Sequence, residues 1–217
     1  KPYDKIILDA FQMTCQDLIQ SEWPIDFIYQ QSDELSLVML PRKNKNGDTT
    51  NMLYNGNVTK HLALLASKVT SLFVVHIFTI LELIARAVPG GDISTLVRYE
   101  KIKNHVKRLG VSFDNRVFQG AFYTHRAFMW RLWDNGRNSI NTYATSVLGH
   151  GPVVGKTSAE ARDLADSENQ QTKYNDLDSR FRCGRLYAKD YGDDDWNTFN
   201  TIMEKHMAEE NVVVSAR

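Results

Sequence analysis

The sequence is poor in cysteine and has no excess of charge of either sign. Only two cysteines occur among 217 residues, Cys15 and Cys183, and they lack the spacing of a metal site. Two isolated cysteines in a chain of this size are more often free thiols of a reducing compartment than a disulfide, so we expect a cytoplasmic protein. Lys and Arg number 26, as do Asp and Glu. Any contact with a nucleic acid must therefore rest on local basic patches.

Long apolar runs are also lacking, and none reaches the ~18 residues that a membrane span requires. The most apolar stretch, Val69–Val88, is interrupted by Ser71, His76, Glu82 and Arg86, which favours a buried helix and no membrane partner. The six histidines show no paired spacing, which argues against a zinc site. A chain of this length buries roughly 70% of its unfolded surface, so it needs neither a disulfide nor a metal to fold.

Hydrophobic periodicity predicts an α+β fold. The first apolar pattern predicts a helix over Asp4–Gln20, and alternation then predicts a hairpin of two strands, Ile25–Tyr29 and Leu35–Leu40, with a polar tip. The remaining predicted elements are a helix from Val58 into the eighties, a basic helix over Arg98–Arg108, a strand at Phe113–Phe118, a helix over His125–Leu148, a short helix capped by Thr157 or Ser158, a strand at Leu186–Lys189 and a last helix over Trp196–Glu210.

This order of elements is typical of helices packed on an antiparallel sheet. The chain opens close to its first helix, so we expect further residues before Lys1. If they include a strand, the order becomes the ferredoxin-like one found in the palm of nucleotide polymerases. We therefore expect a palm-like catalytic domain over residues 1–148, with residues 149–217 forming a helical C-terminal extension packed on it.

The hairpin tip holds the most informative residues, Ser32-Asp33-Glu34. A carboxylate in such a position is exposed, rigid and close to the end of a neighbouring strand. Two-metal phosphoryl transfer needs that arrangement, because carboxylates from adjacent strands bridge the two Mg²⁺ ions. The alternative is an ordinary polar turn, which spacing alone favours because Ser, Asp and Glu are common in turns.

A series of short motifs then resembles one family. In chain order they are Lys1-Pro2-Tyr3-Asp4, Gln31-Ser32-Asp33-Glu34-Leu35-Ser36, Gly56-Asn57-Val58-Thr59-Lys60, Phe113-Asp114-Asn115-Arg116-Val117, Trp130-Arg131 with Asp134 and Asn138, Gly155-Lys156-Thr157, Asn175-Asp176-Leu177 and Arg180-Phe181-Arg182 with Gly184. Together they are similar to the motifs of the tRNA(His) guanylyltransferase family. Arg137-Asn138-Ser139 looks more like its guanylyltransferase-like tRNA-repair relatives.

The resemblance implies a nucleotidyltransferase that adds nucleotides in the 3′–5′ direction to the 5′ end of tRNA, with or without a template. ATP activates the 5′-monophosphate, and the 3′-hydroxyl of GTP or another nucleoside triphosphate then attacks. By the same resemblance Asp33 binds two Mg²⁺ ions, and Glu34 orients Asp33 or supports the hairpin. Ser32 contacts the triphosphate, while Lys60 and Asn138 lie near it or near the tRNA 5′ end.

Basic residues are candidates for contact with tRNA phosphates, although a solvated surface is the alternative for any run of charge. They are Arg98, Lys101, Lys107, Arg180 and Arg182. The resemblance also implies a homo-oligomer, since the family tends to form tetramers. The rings of the helix Phe128–Tyr143 could supply an interface or simply belong to the core.

The sequence departs from the family in three places. The first metal-binding aspartate of the family lies in an Asp-Gly segment before the Lys-Pro helix, and this sequence has no such residue. Asn57 stands where the family often has Arg, and Gly136 where the guanylyltransferases proper often have His. Two other functions therefore remain open, a non-catalytic tRNA-binding palm module and a palm-type nucleotide cyclase.

Overall fold

The computed structural model describes residues 3–41, 45–46, 53–87, 93–114, 116–117, 119–189 and 196–215 of the chain. The helices and strands in these ranges are α1 (Lys5–Gln20), β1 (Phe27–Gln31), β2 (Glu34–Val38), α2 (Val58–Ala87), α3 (Ile93–Leu109), α4 (Ala121–Leu148), α5 (Ser158–Glu168), α6 (Ser179–Cys183), β3 (Arg185–Ala188) and α7 (Trp196–Ser215). This mixture of helices with an antiparallel sheet confirms the α+β class.

The chain divides into two compact units. The sheet unit consists of Lys1–Asp4, Asp26–Val38 and Phe118–Arg217, and the helical unit consists of Lys5–Ile25 and Met39–Val117. The sheet unit thus holds all three described strands together with α4 to α7. These units are defined by contacts within the chain and do not follow the predicted boundary at residue 148, which stays a prediction.

The sheet of the sheet unit has the strand order β2-β1-β3, and both pairings are antiparallel. β1 is buried along its whole length, as expected for a central strand. Its register sets Phe27 opposite Val38 at one end and Gln31 opposite Glu34 at the other. On its other side Gln30 lies opposite Arg185. The hairpin turn therefore lies at the end of the sheet where β3 begins.

Aromatic side chains form much of the core of the sheet unit. The ring of Phe199 on α7 packs edge-on against Phe27 of β1 at 5.2 Å and stacks on Phe128 of α4 at 5.0 Å. Tyr29 of β1 packs against Trp196 at 5.3 Å. Such ring pairs contribute about 0.5–1.5 kcal/mol each beyond the area that they bury. They hold α4 and α7 to the sheet.

In the helical unit α1 packs against the long helix α2, where the rings of Phe11 and Phe73 lie 4.5 Å apart. Asp17 Oδ2 of α1 lies 2.9 Å from His76 Nε2 of α2. By length and composition α2 could cross a membrane, and it is the one helix among the described residues of which this is true. The core helices of soluble proteins pass the same test.

One predicted strand is wrong. Residues 113, 114, 116 and 117 of the predicted strand Phe113–Phe118 are not in a strand. The described sheet consists of β1, β2 and β3, and β3 lies where the strand Leu186–Lys189 was predicted. The ring of Phe113 packs edge-on against Phe11 at 5.9 Å and Phe73 at 5.6 Å, so this apolar residue anchors an irregular segment to the helical unit. The apolar and polar alternation there reflects an anchor and not a strand.

The other elements lie close to their predicted positions. α5 begins with a complete capping box, in which Thr157 Oγ1 accepts from the N–H of Glu160 and the Glu160 carboxylate accepts from the N–H of Thr157. The last helix, α7, begins at Trp196 as predicted and extends to Ser215, beyond the predicted end at Glu210. Cys15 is buried, Cys183 is exposed and both are free thiols, as predicted.

Candidate active site at the hairpin tip

The turn between β1 and β2 contains only two residues, Ser32 and Asp33, since Gln31 still pairs with Glu34. Ser32 has a backbone φ of 46°, a value that residues other than glycine rarely adopt. Two-residue hairpins need a positive φ at the first turn position, because their twist must match that of the strands. The sequence thus tolerates a strain of about 1 kcal/mol at Ser32 in order to close the tightest possible hairpin.

Two buried glutamines support this turn from below. The Gln30 side chain is fully buried, and its Nε2 donates to the carbonyl oxygen of Ser32 at 3.1 Å. Gln31 is 4% exposed, and its Nε2 donates to Glu34 Oε2 at 3.1 Å. The tip is therefore fixed by side chains that cannot move into solvent, while Ser32 and Asp33 themselves are exposed.

Glu34 is held from a second direction by helix α4. Arg131 Nη1 lies 2.7 Å from Glu34 Oε2, the same oxygen that accepts from Gln31. Both side chains are partly open to solvent, so screening keeps the contribution of this pair to stability small. Its effect is geometric, because it ties the first residue of β2 to α4. These contacts favour the supporting role among the two predicted for Glu34, which stays a prediction.

Asp33 differs from its neighbour. In the described part of the chain no side chain forms an ion pair with the Asp33 carboxylate, which is exposed at the apex of the turn. A carboxylate that is fixed by a tight turn and has no cationic partner among the described residues is suited to bind a cation or to organise a polar ligand. Ser32 is next to it, and its hydroxyl can donate to a phosphate oxygen.

The donor set at the tip fits Mg²⁺ only in part. Magnesium is usually held by one or two carboxylates together with substrate phosphates, so Asp33 fits as one ligand. The Oε2 atom of Glu34 is already bonded to Arg131 and Gln31. Within the described ranges no group of three or more His, Cys, Asp and Glu side chains could enclose a metal ion. A site for two ions thus needs ligands beyond those of the described tip.

Asn138 belongs to a small polar cluster on α4. The Asp134 carboxylate is buried, and it accepts from Arg137 Nη2 at 2.6 Å and from Asn138 Nδ2 at 2.8 Å. One would expect Asp134 to pair with Arg131 at the i−3 position, yet Arg131 turns to Glu34 instead. Asn138 is exposed, and the bond to Asp134 leaves its second amide hydrogen and its amide oxygen for a ligand, so its predicted contact with nucleotide stays a prediction.

Under the tip, a close approach of two backbones fixes β1 to the segment before β3. Gly184 has a φ of 70°, and a Cβ there would lie 2.6 Å from the carbonyl oxygen of Gln30 and 2.6 Å from the hydroxyl of Tyr29. Only glycine fits. Tyr29 donates to the carbonyl oxygen of Cys183 at 2.7 Å, and burial raises the pKa of its phenol far above the usual value.

A buried polar network continues from this junction into α4 and α5. The carbonyl oxygen of Arg182 accepts from Ser139 Oγ at 3.0 Å, and Ser139 Oγ also lies 2.7 Å from the hydroxyl of Tyr174. Tyr143 donates to Asp166 Oδ1 at 2.8 Å. Burial, followed by the hydrogen bond with Asp166, raises the pKa of Tyr143 to about 12. These bonds fix the position of α4, which carries Arg131.

The predicted RNA-binding arginines of α6 have partners within the protein. The guanidinium of Arg180 binds both oxygens of Asp178, and Nε of Arg182 donates to the carbonyl oxygen of Leu177 at 3.0 Å. Arg98, Lys101 and Lys107 are exposed on α3 of the helical unit. Contact with RNA stays a prediction for all five residues.

Lys60 lies in the first turn of α2, in the helical unit, whereas Ser32, Asp33, Glu34 and Asn138 belong to the sheet unit. Its Nζ lies over the ring of Tyr54 at 5.3 Å, and its backbone N–H donates to Asn57 Oδ1 at 3.0 Å. Asn57, which stands where the family often has Arg, thus caps the N-terminus of α2.

Sequence reasoning missed the link between Glu34 and Arg131. The two residues are distant in the chain, and neither helical nor strand periodicity relates them. The available signal was the Trp130-Arg131 motif, which stands in the same series of family motifs as the Ser-Asp-Glu tip.

A family model covers the part of the chain that contains the hairpin. The family model described as tRNAHis guanylyltransferase matches residues 1–121, which is more than half of the chain. That range includes the whole hairpin and Lys60. No curated protein matches the sequence.

Solved structures share the fold. A bacterial tRNA(His) guanylyltransferase-like protein in complex with ATP is 24% identical, with a TM-score of 0.65, and the match covers 89% of this chain and 73% of that one. The same kind of protein in complex with GTP is 22% identical, with a TM-score of 0.56 and coverages of 87% and 66%. The enzyme from Saccharomyces cerevisiae is 19% identical, with a TM-score of 0.52 and coverages of 88% and 77%. The likeness of these structures shows the fold, and the family match shows that the chain belongs to the tRNA(His) guanylyltransferase family.

Proposed function

We propose that the protein adds nucleotides in the 3′–5′ direction to the 5′ end of tRNA, as a nucleotidyltransferase that resembles the repair-type relatives of its family. The observation that carries this proposal is the Asp33 carboxylate, exposed at the apex of a rigid two-residue turn in a chain whose first 121 residues match the family. The bound ATP and GTP of two structural neighbours support nucleoside triphosphates as substrates.

Two transfers make up the proposed reaction. A 5′-phosphate oxygen of the tRNA attacks the α-phosphorus of ATP and displaces pyrophosphate, so that the RNA end is adenylylated. The 3′-hydroxyl of an incoming GTP or other triphosphate then attacks the phosphorus of the RNA 5′-phosphate, loses its proton and displaces AMP. The new 5′ end carries the triphosphate of the added nucleotide.

The residues of the tip have separate tasks in this proposal. Asp33 would hold Mg²⁺, which when bound would neutralise charge on phosphates and make an attacking hydroxyl more acidic. Ser32 donates its hydroxyl to a phosphate oxygen. Glu34, held by Arg131 and Gln31, keeps the turn in register so that Asp33 points in one direction. Lys60 and Asn138 are proposed to contact triphosphate or the RNA end.

The test is incorporation of label from each nucleoside triphosphate by the full-length protein, given 5′-truncated tRNA, ATP and Mg²⁺. Asp33→Ala is expected to lower the rate at least about 100-fold, because it removes a charged group that acts in the transition state. Asp163→Ala is the control, since it removes another exposed aspartate, on α5, whose ion pair with Arg162 is itself largely solvated. Both variants should keep the wild-type unfolding midpoint. Full activity of Asp33→Ala contradicts the assignment.

The same experiment separates the two other functions. If the wild-type protein binds tRNA but incorporates label from none of the triphosphates, the result favours a non-catalytic tRNA-binding module. Label that leaves the triphosphate in a cyclic mononucleotide favours a nucleotide cyclase.

A further inference from the structure

One face of helix α4 carries large rings that remain open to solvent. We define the aromatic stripe as Phe122, Arg126, Trp130, Trp133 and Arg137 of this helix. The three rings are 47%, 51% and 67% exposed in that order. Rings of this size are usually half-covered or buried in a soluble protein, so a contiguous exposed set indicates a binding surface.

The five residues of the aromatic stripe share a face because of their spacing. Successive residues of an α-helix turn by about 100°, so the steps of four, four, three and four residues keep all five side chains within an arc of about 80°. The stripe is about 22 Å long, at 1.5 Å per residue. The buried residues Phe128, Asn135 and Ser139 lie on the opposite side of the helix.

An arginine guanidinium lies over each of the three rings of the aromatic stripe, and one of these arginines, Arg131, lies beside the stripe. Arg126 lies over Phe122 at 5.1 Å, Arg131 lies over Trp130 at 4.9 Å, and Arg137 lies over Trp133 at 5.7 Å. A guanidinium has five N–H donors, so the single bonds that Arg131 and Arg137 make to carboxylates leave donors for a further ligand. Asp134 is the one acidic residue between Ala121 and Arg137, and it is buried.

We propose that the aromatic stripe binds unpaired nucleotides of the RNA substrate by stacking their bases on its rings. A base has a flat face for a tryptophan ring and a phosphate for a guanidinium, so a single strand complements both components of the stripe. A protein partner with an apolar surface would not match a row of three arginines. The ligand is thus single-stranded RNA, recognised with little preference for base.

The aromatic stripe is joined to the hairpin tip by one residue. The guanidinium of Arg131 lies over Trp130 and also binds Glu34, next to Asp33. Nucleotides stacked on Trp130 and Trp133 therefore lie on the helix that contacts the tip, which suits unpaired nucleotides beside a 5′ end awaiting addition. This inference rests on the proposed function for the identity of the RNA, whereas the stacking surface itself does not.

Binding of a short single-stranded RNA with a 5′-phosphate tests the inference, with the full-length protein and tryptophan fluorescence as the readout. Stacking on Trp130 and Trp133 is expected to quench their emission. Trp133→Ala should weaken binding about tenfold and remove part of the quench, since stacking on a ring contributes strongly to single-strand affinity. Trp133→Phe, which keeps a ring, should bind almost as well as wild type. ATP binding should not change in either variant.

Three results overturn the inference: equal affinity of wild type and Trp133→Ala for the single strand, tighter binding of a blunt duplex than of the single strand, and a change of oligomeric mass in Trp133→Ala with unchanged RNA affinity. The last result would assign the stripe to contacts between copies of the chain. Failure of the proposed function can be distinguished from failure of this inference. In that case the wild-type protein adds no nucleotide, yet Trp133→Ala still binds the single-stranded RNA more weakly than wild type does.

Discussion

The tip of the β1–β2 hairpin and the base beneath it differ in how closely their residues are packed. At the base, Tyr29, Gly184 and Cys183 are packed so closely that a single added carbon has no room. At the tip, Ser32 and Asp33 are exposed and few contacts depend on them. The base is positioned by buried bonds that resist change, and the tip uses that rigidity to present a carboxylate whose own removal leaves the packing untouched.

This difference separates stability from function within a few residues. Substitutions at the base should lower the free energy of unfolding, and substitutions at the tip should change activity alone. Four measurements test this contrast between tip and base. They are ordered by the size of the expected change in stability, from the largest to the smallest.

Gly184→Ala should have the largest effect. The new methyl group would lie 2.6 Å from two oxygen atoms at a φ of 70°, so the two backbones must separate, at a cost of about 3 kcal/mol or more in the free energy of unfolding. Gly136→Ala is the matched control, because it lies within α4 with nothing near its Cβ, and it should stabilise the protein by about 0.5–1 kcal/mol. Denaturant unfolding measures both, and similar stabilities for the two variants would contradict the assigned role of Gly184.

Stability should next depend on pH through Tyr143. Its pKa is raised to about 12 in the folded protein, against about 10 in an unfolded chain. A raised pKa contributes stability that is complete below pH 10 and is lost as pH rises toward 12, by up to about 2–3 kcal/mol. Unfolding followed from pH 9 to 12 should reveal this loss, and Tyr143→Phe should show a shallower slope. An identical slope in the variant would show that other groups cause the loss.

Tyr29→Phe should destabilise the protein by about 1 kcal/mol, because the carbonyl oxygen of Cys183 loses the donor of a partly buried hydrogen bond. Tyr123→Phe removes the same hydroxyl from an exposed ring of α4 and should leave the unfolding midpoint unchanged. If both variants unfold alike, the hydrogen bond of Tyr29 contributes nothing net and the base is held by packing alone.

Arg131→Met should have the smallest effect on stability, below about 1 kcal/mol, since both partners of its ion pair are partly solvated. The same variant should slow nucleotide addition, because Glu34 loses its tie to α4, and Arg131→Lys should restore part of the rate. Parallel unfolding and incorporation assays measure the two effects. A loss of stability above about 2 kcal/mol would place Arg131 with the base and not with the tip.

Much of the fold could be predicted because its signals are local. The alternation along the hairpin, the capping box at Thr157 and Glu160, and the apolar periodicity of α1 and α2 each lie within a few neighbouring residues. The strand predicted at Phe113–Phe118 failed for the same reason. A short alternating pattern cannot show that Phe113 packs on Phe11 and Phe73, which are distant in the chain.

The candidate site divides in the same way. Ser32 and Asp33 could be proposed from the sequence because turn residues and a family motif coincide at one place. The tie between Glu34 and Arg131, and the close approach at Gly184, join segments that only the folded chain brings together. Contacts of that kind leave no periodic signal, so residue type alone could not reveal them.

The two-residue turn has one further consequence. A longer loop could bend to follow ligands of different size, but this turn has no spare length. One inserted residue would reverse the side on which every following side chain of β2 lies. The aspartate is therefore held at one fixed place, and any ligand has to be brought to it and aligned by the rest of the protein.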